Sequence, residues 1–203
     1  MLNEKAAELS RNALPLQKEN LKKAYPFFRV INVTDSSYDG QNAICVKMDY
    51  YNGIDAYALD LEGRKYNIQF KVREPGHNDL VFIVRKVTDS DMIRNPNFGF
   101  TFGGNKYSFI LNDIDIFCEM VNGKIYNVRA TDLMSLEYDT KGRDNPFIKN
   151  VCPQEYFDSK GQKFHSGNYY AFISVEGIME LKELLMKAEN REHYYVNTYQ
   201  QEQ

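Results

Sequence analysis

Apolar residues recur at three- and four-residue steps near both ends of the chain, and this spacing is typical of amphipathic helices. The N-terminal set predicts a helix over residues 3–24, and Pro15 inside it predicts a kink or two short helices. The C-terminal set predicts a helix over residues 175–190, followed by a polar tail over 191–203 that frays. The apolar positions are Leu2, Ala6, Leu9, Ala13, Leu16 and Ala24 in the first set, and Ile178, Leu181, Leu184 and Leu185 in the second.

Between these helices, apolar and polar residues alternate in short runs, which indicates strands with one buried face. Glu62-Gly63-Arg64 and Asn122-Gly123 each predict a hairpin between the runs that they join. Residues 139–168 are rich in turn-forming residues and are expected to be irregular. The element order predicts an α+β (α/β) fold with a mixed central sheet, an N-terminal helix and a C-terminal helix. The predicted strands are 27–33, 43–51, 54–61, 65–73, 79–87, 108–111, 114–121, 124–129 and 169–174.

The composition is that of an ordinary globular chain. A length of 203 residues predicts a single domain over 1–190, and a net charge of −3 gives no global attraction to nucleic acid. Cys45, Cys118 and Cys152 are odd in number and lack C-x-x-C spacing, which favours a reducing compartment over a disulfide framework or a zinc site. No apolar run approaches the length of a membrane span, so we expect a cytoplasmic protein with no membrane partner.

The segment from Gly53 to Arg73 holds the candidate chemistry. Asp55 begins one predicted strand, and a Gln-x-Lys sequence follows fourteen positions later on the next strand of the hairpin. Side chains alternate between the two faces of a strand, so the apolar residues of the second strand face a core and its polar residues line a cleft. The apolar set is Ile68, Phe70 and Val72, and the polar set is Gln69, Lys71 and Arg73.

These residue types suit a divalent cation that acts on phosphate. Mg²⁺ (or Mn²⁺) prefers oxygen ligands, which the Asp55 carboxylate, the Gln69 amide and the Phe70 backbone carbonyl supply. Lys71 is expected to hold an attacking water or to stabilise charge on the phosphate, and Arg73 to contact a phosphate. A second interpretation is open, in which the polar residues form an ordinary solvated strand face.

The pattern Asp-x(13)-Gln-x-Lys across a hairpin, preceded by a helix and a strand, resembles the PD-(D/E)xK nuclease superfamily, which includes restriction endonucleases and Holliday-junction resolvases. Gln in the second ligand position is a variant seen among its members. The resemblance covers about residues 1–130 and implies a restriction-endonuclease-like fold. The superfamily core usually continues with a helix after the lysine-bearing strand, so we expect either a short helix around Ser90–Ile93 or an insertion there.

The resemblance also implies an activity and its partners. It predicts a Mg²⁺-dependent DNA endonuclease, a phosphodiester hydrolase of phage or mobile-element origin that acts on duplex or branched DNA, and a possible homodimer. In several members a glutamate of the first helix completes the site. Glu8 is the candidate for that role here, and Glu4 and Glu19 are its rivals.

Other residues have two interpretations each. His77 is either a phosphate contact beside the site or a polar turn histidine. Tyr50 and Tyr51, with Lys47 nearby, form either a nucleic-acid contact or part of the rim of a core. The basic residues of 139–168 either grip DNA or belong to a solvated loop. The alternative function is therefore a non-catalytic module that binds nucleic acid or protein, which the uncharged Gln69 favours because it weakens metal binding.

Overall fold

The computed structural model describes residues 2–32, 53–137, 142–157 and 161–201. The chain divides into two compact units, one of Met1–Leu80 with Ile110–Leu133 and the other of Val81–Phe109 with Met134–Gln203. The single domain predicted from the chain length stays a prediction. In chain order the elements are α1 (Leu2–Ala24), β1 (Arg29–Asn32), β2 (Ala56–Leu59), β3 (Lys65–Val72), β4 (Asp79–Lys86), α2 (Asp89–Arg94), β5 (Phe100–Phe102), β6 (Asn105–Phe109), β7 (Ile116–Val121), β8 (Lys124–Arg129), α3 (Ala130–Met134), β9 (Ile148–Phe157), β10 (Lys163–Ser174) and α4 (Val175–Gln201).

The first unit is built on a curled, mixed sheet in the order β1-β2-β3-β7-β8. Strands β1, β2 and β3 pair antiparallel, and β7 and β8 form an antiparallel hairpin. Between these two groups, β3 and β7 run parallel. In this register Ile68 lies opposite Ala56 on one side and Ile116 on the other, so one face of the sheet presents a continuous apolar surface.

Helix α1 covers that apolar face through residues spaced four apart. Ala13, Gln17 and Leu21 are buried, and Leu21 joins the core formed by the strands. Gln17 is 1% exposed, and its Nε2 donates to the backbone oxygens of Lys71 at 2.8 Å and Cys118 at 2.9 Å. A buried amide is stable in a core when its hydrogen bonds are made, so Gln17 joins the helix to β3 and β7. The α1 helix is continuous through Pro15, and the two short helices that were the alternative to a kink do not form.

The two predicted hairpins of this unit are present. Asn122 and Gly123 have φ values of +49° and +75°, which a two-residue hairpin turn needs at both central positions, and they join β7 to β8. The β2–β3 hairpin is held at its turn by Asp60, whose Oδ1 accepts from the backbone nitrogens of Glu62 at 3.0 Å and Arg64 at 2.9 Å. The residues of the site described below therefore lie on or beside paired strands of fixed register.

The second unit contains a curled five-stranded sheet in the order β5-β6-β4-β10-β9. Within it β4–β6, β5–β6 and β9–β10 pair antiparallel. The short helix α2 begins with a capping box, in which Thr88 and Asp91 exchange side-chain-to-backbone hydrogen bonds. Helix α4 follows β10 directly. An α+β fold with helices near both ends and one mixed sheet is thus confirmed, although two five-stranded sheets replace the predicted single central sheet.

Residues 139–168 were predicted to be irregular, but all of β9 and the first half of β10 lie there. Pro153 lowers the strand signal of β9, yet β9 is the edge strand of its sheet, where a missing N–H is tolerated. The pairing of β10 with β9 shifts register between His165 and Tyr169, and Gly167 adopts φ +81° within that shift.

Two further predictions concern the C-terminal helix and the strand expected over residues 43–51. Helix α4 extends to Gln201 where a frayed tail was predicted from 191 onward. Glu, Lys, Arg and Gln are good helix formers, so a polar composition does not end a helix. The strand predicted over 43–51 lies outside the described residues.

Candidate active site

Asp55 lies at the point where β2 and β3 separate. Regular pairing ends at Ala56 opposite Ile68, and the Asp55 nitrogen donates to the Ile68 oxygen at 3.0 Å. One step further along β3, the Asp55 carboxylate replaces the missing backbone partner, because its Oδ2 accepts from the Phe70 nitrogen at 2.7 Å. Strand N–H groups lie in the plane of the sheet, so the carboxylate lies just beyond the end of β2, beside the middle of the Gln-x-Lys sequence.

Gln69 is fixed by its contact with the loop before β2. Its Nε2 donates to the Gly53 oxygen at 3.0 Å. Gly53 has φ +66°, and a Cβ at this position would lie 2.6 Å from Gln69 Nε2. Glycine is therefore required both by the backbone conformation and by the close approach of Gln69. Because the amide nitrogen of Gln69 bonds Gly53, the amide oxygen of Gln69 is the atom available to a cation.

Lys71 faces the side of the sheet opposite to α1 and is half-buried. In the parallel β3–β7 pair it lies opposite Glu119, and its Nζ is 5.7 Å from the centroid of the Phe117 ring. Burial lowers the pKa of Lys71 below its ordinary value, the negative charges of Glu119 and then Asp55 act to raise it, and Arg73 acts to lower it. These four charged groups therefore share one electrostatic environment.

Two residues near the site were not predicted from the sequence: Glu119, which shares this environment, and Gln17, which donates to the Lys71 backbone oxygen. Glu119 is 0% exposed and shares its face of β7 with the buried Phe117 and Val121. An acid within the apolar run of β7 was the signal that could have identified it. Gln17 was detectable in the same way, because it lies midway between two apolar positions of α1, Ala13 and Leu21.

A groove of about 250 Å³ opens on the α1 side of Asp55. Its wall on α1 includes Arg11, which forms no ion pair within the described part of the chain. Asp55 also lines this groove, whereas the Gln69 and Lys71 side chains leave β3 on its other face. The lining residues are Ser10, Arg11, Leu14, Gln17, Asp55, Phe70 and Val72.

The candidate glutamates of the first helix are not part of this groove. Glu8 is exposed and lines a separate surface pocket with Lys5 and Glu74. Glu19 is exposed and pairs with Lys23 at 2.8 Å. The side chain of Glu4 lies outside the description. The structure thus places Asp55 beside the segment that contains Gln69 and Lys71, with Asp55 at the α1 groove and the other two side chains on the opposite face of β3, and adds none of the described α1 glutamates.

Two of the three predicted nucleic-acid contacts, Arg73 and His77, lie within the described residues. Arg73 is half-buried at the end of β3, where its nitrogen donates to the Met120 oxygen at 2.8 Å. His77 is exposed in the turn before β4, and its backbone oxygen accepts from Asn122 Nδ2 at 2.7 Å. That contact places His77 beside the Asn122-Gly123 turn, which closes the β7–β8 hairpin. Lys47 lies outside the described residues.

The donor set at Asp55 fits a hard cation that keeps most of its waters. The described residues contain no group of three or more His, Cys, Asp or Glu side chains that could hold a metal. Asp55, the Gln69 amide and the Phe70 carbonyl offer oxygen donors with a single negative charge. Mg²⁺ is commonly bound by one or two carboxylates together with water and substrate phosphates, so Asp55 supplies the kind of charged ligand that it uses, while the Gln69 side chain leaves β3 on the other face.

Comparison of the chain with protein-family models, with curated proteins and with solved structures finds no match. Among the described helices, none has both the length and the apolar character that crossing a bilayer requires.

Proposed function

We propose that the protein is a divalent-metal-dependent DNA endonuclease with a restriction-endonuclease-like core in its first unit. The observation that supports the proposal most strongly is the 2.7 Å hydrogen bond between Asp55 Oδ2 and the Phe70 nitrogen. It brings an acid, which the chain supplies fourteen residues earlier, against the segment that contains Gln69 and Lys71. An ordinary solvated strand face has no need for such a contact.

The path of the chain after β3 is compatible with this assignment. Residues 81–109 belong to the second unit, and the chain then returns as β7, parallel to β3. Helix α2, over Asp89–Arg94, lies within that excursion, in the region where a short helix or an insertion was expected. In the proposed core the excursion is the insertion, and β7 completes the sheet beside the lysine-bearing strand.

Each residue of the site has a proposed role. Asp55, the Gln69 amide oxygen and the Phe70 carbonyl hold the cation. When bound, a cation of this kind lowers the pKa of water and neutralises charge on the scissile phosphate. Lys71 donates hydrogen bonds to a phosphate oxygen or orients the attacking water, and its partial burial strengthens those interactions. Arg73, and Arg11 on the groove wall, contact neighbouring phosphates.

The proposed substrate is DNA, duplex or branched. The net charge of −3 requires that binding rest on local cations and on the metal rather than on the charge of the whole protein. A homodimer, a phage or mobile-element origin and a cytoplasmic location remain predictions of the resemblance and the composition. Glu8 remains the predicted acid of the first helix, and its pocket is separate from the groove at Asp55.

A non-catalytic module that binds nucleic acid or protein is the second candidate function. It is favoured by the orientation of the side chains, because Asp55 lines the α1 groove while Gln69 and Lys71 leave β3 on the other face. The neutral amide of Gln69, whose nitrogen already contacts Gly53, favours it as well. In this interpretation Asp55 serves to end the β2–β3 pairing and has no role at a metal.

Incubation with supercoiled plasmid, linear duplex and branched DNA separates the two candidates. Each substrate is tested with Mg²⁺, Mn²⁺ and EDTA, for the unmodified protein, Lys71→Ala and Lys65→Ala. Lys65 is an exposed lysine of the same strand, so its variant controls for the loss of one positive charge. Cleavage that needs metal, disappears in Lys71→Ala and survives in Lys65→Ala supports the endonuclease. Binding without cleavage under every condition supports the module.

A further inference from the structure

An open aromatic pocket of about 420 Å³ in the first unit has no role in the site described above. It lies between the α1–β1 connection and the β2–β3 hairpin, and its side chains include Tyr25, Phe27, Phe28, Arg64 and Tyr66. We infer that this pocket binds an unpaired base of a DNA strand that also reaches the candidate active site. The role of that strand as a substrate rests on the proposed function, whereas binding of its base is measurable in a protein that cleaves nothing.

The aromatic rings of the pocket are already aligned with one another. Phe28 stacks on Tyr25 with the ring centroids 4.8 Å and the planes 12° apart, and on Tyr66 at 4.8 Å and 29°. The Tyr25 nitrogen donates to the Leu21 oxygen at 2.8 Å, which ties the connection to the end of α1. The neighbouring Phe27 is 67% exposed and lines the same pocket. Bases stack on aromatic side chains of this kind, whatever their identity, because every base has a flat π-face.

Arg64 adds a polar edge to this aromatic surface. Its Nε donates to Asp60 Oδ2 at 2.7 Å and its Nη2 donates to Glu62 Oε2 at 2.9 Å, so two carboxylates hold the guanidinium in place. The Arg64 side chain is still 68% exposed, and a guanidinium has more N–H groups than these two contacts use. The edges of bases carry carbonyl and ring-nitrogen acceptors, which such donors recognise.

The charge of the pocket favours a base over a phosphate. Asp60 and Glu62 outnumber Arg64 among the charged residues that line it. A phosphate would therefore meet a net negative surface, whereas an uncharged planar base would not. A cation for the backbone of the same nucleotide lies just outside the pocket, because Lys22 is exposed in the last turn of α1.

The pocket and the groove at Asp55 lie on the same face of the sheet. Tyr66 lines the pocket and Phe70 lines the groove, and both rings pack against the core that α1 covers. Their separation by four positions on β3 corresponds to about 13 Å along the strand. A DNA strand with B-form spacing covers that distance in about four nucleotides, and an extended strand in fewer. One strand can therefore place a base in the pocket and a phosphate at the groove.

The bound base has to be unpaired. Bases within a duplex are stacked on their neighbours, so a side chain reaches their faces only where the strand is single or where a base is flipped out. The proposed substrate therefore narrows from DNA in general to DNA with an unpaired segment near the cleaved bond, as in branched DNA.

A tryptophan placed in the pocket gives the direct test. The chain contains no tryptophan, so Phe27→Trp keeps an aromatic ring and adds a lone fluorophore. Its emission is followed in EDTA, at one salt concentration, during titration with a short single-stranded oligonucleotide, the corresponding duplex or dAMP. We expect the single strand to quench the emission, and the duplex and dAMP to have little effect at equal concentration. Phe164→Trp, at an exposed phenylalanine of the second unit, is the control and should not be quenched.

Removal of the ring gives a second measurement. The affinity for the labelled single strand is measured by fluorescence anisotropy for the unmodified protein, Phe27→Ala and Phe164→Ala. We expect the affinity to fall about tenfold or more in Phe27→Ala and to stay unchanged in Phe164→Ala. Equal affinities of all three proteins would overturn the inference, and so would quenching of Phe27→Trp by dAMP that equals quenching by the strand. Emission that changes only with protein concentration would also overturn it, by identifying the pocket as an interface between copies of the chain.

Cleavage is measured separately, with the unmodified protein and Phe27→Ala. If the unmodified protein binds the single strand through Phe27 but cleaves no DNA with any metal, the proposed function fails while the assignment of the pocket stands. If the unmodified protein cleaves DNA, and Phe27→Ala binds and cleaves equally well, the assignment of the pocket is overturned and the proposed function stands.

Discussion

Asp55 Oδ2 accepts a hydrogen bond from the backbone nitrogen of Phe70 at 2.7 Å. This contact joins two segments that the β2–β3 register alone would leave apart, since regular pairing stops at Ala56 and Ile68. It gives Asp55 a structural role at the strand edge as well as the proposed role at a metal. Substitutions at Asp55 are therefore chosen so that an effect on stability can be distinguished from an effect on metal binding.

The variants Asp55→Asn and Asp55→Ala distinguish these two effects. Asparagine keeps an oxygen that can accept from Phe70, whereas alanine leaves that N–H without its partner. A hydrogen bond to a charged group contributes about 1.5–3 kcal/mol, so we expect Asp55→Ala to lose about that much unfolding free energy and Asp55→Asn less. Urea denaturation measures both, and equal losses would show that the Phe70 contact does not stabilise the strand edge.

Gly53 should be intolerant of a side chain for two reasons that a control can separate. Gly53→Ala has to adopt φ +66° and brings Cβ to 2.6 Å from Gln69 Nε2. Gly63→Ala has a similar backbone conformation at φ +78° with nothing within 4 Å. Placing alanine in the left-handed region costs about 1–2 kcal/mol in each, and we expect a further loss in Gly53→Ala. Equal unfolding free energies would mean that Gln69 moves aside without penalty.

Gln17 should contribute more to stability than a surface residue of the same helix. Gln17→Leu fills the space but removes the side-chain donor to the Lys71 and Cys118 carbonyls, and we expect a loss of about 1–3 kcal/mol of unfolding free energy. The control Asn12→Leu, at an exposed position of α1, should change stability by about 0.5 kcal/mol or less. Chemical denaturation of both variants tests this, and a Gln17→Leu protein as stable as the parent would contradict it.

Cys118 should be unreactive in the folded protein. Burial, aided by the charge of Glu119, raises the pKa of its thiol to about 12 from an ordinary 9.0. The folded state then keeps a proton that the unfolded state releases above pH 9, so this group lowers the unfolding free energy as pH rises from 9 toward 12. Alkylation with iodoacetamide, mapped by peptide mass spectrometry, should modify Cys118 only after unfolding. Rapid modification in native buffer at pH 8 would refute the prediction.

The elements that could be predicted are those determined by neighbouring residues and not by contacts with distant parts of the chain. Asn122-Gly123 encodes its turn directly, and the alternation over 65–73 fixed the two faces of β3. Strand β9 was not predicted, because a proline such as Pro153 is tolerated only in an edge strand. Whether a strand lies at the edge of a sheet depends on the whole topology.

In the candidate site, too, relationships within the hairpin were predicted and long-range ones were not. The proximity of Asp55 to Gln69 and Lys71 follows from the hairpin, but its bond to the Phe70 nitrogen depends on where β2 leaves β3. Glu119 could not be paired with Lys71 in advance, because the parallel contact of β3 with β7 joins segments separated by the excursion through the second unit.

The most direct test of the central proposal is single-turnover cleavage of supercoiled plasmid by the unmodified protein and by Asp55→Asn. The account predicts cleavage in Mg²⁺ or Mn²⁺ that EDTA abolishes, and a rate reduced about 100-fold or more in the variant because the charged ligand is gone. A folded, unmodified protein that cleaves with neither metal would contradict the account. So would an Asp55→Asn protein that cleaves as fast as the parent.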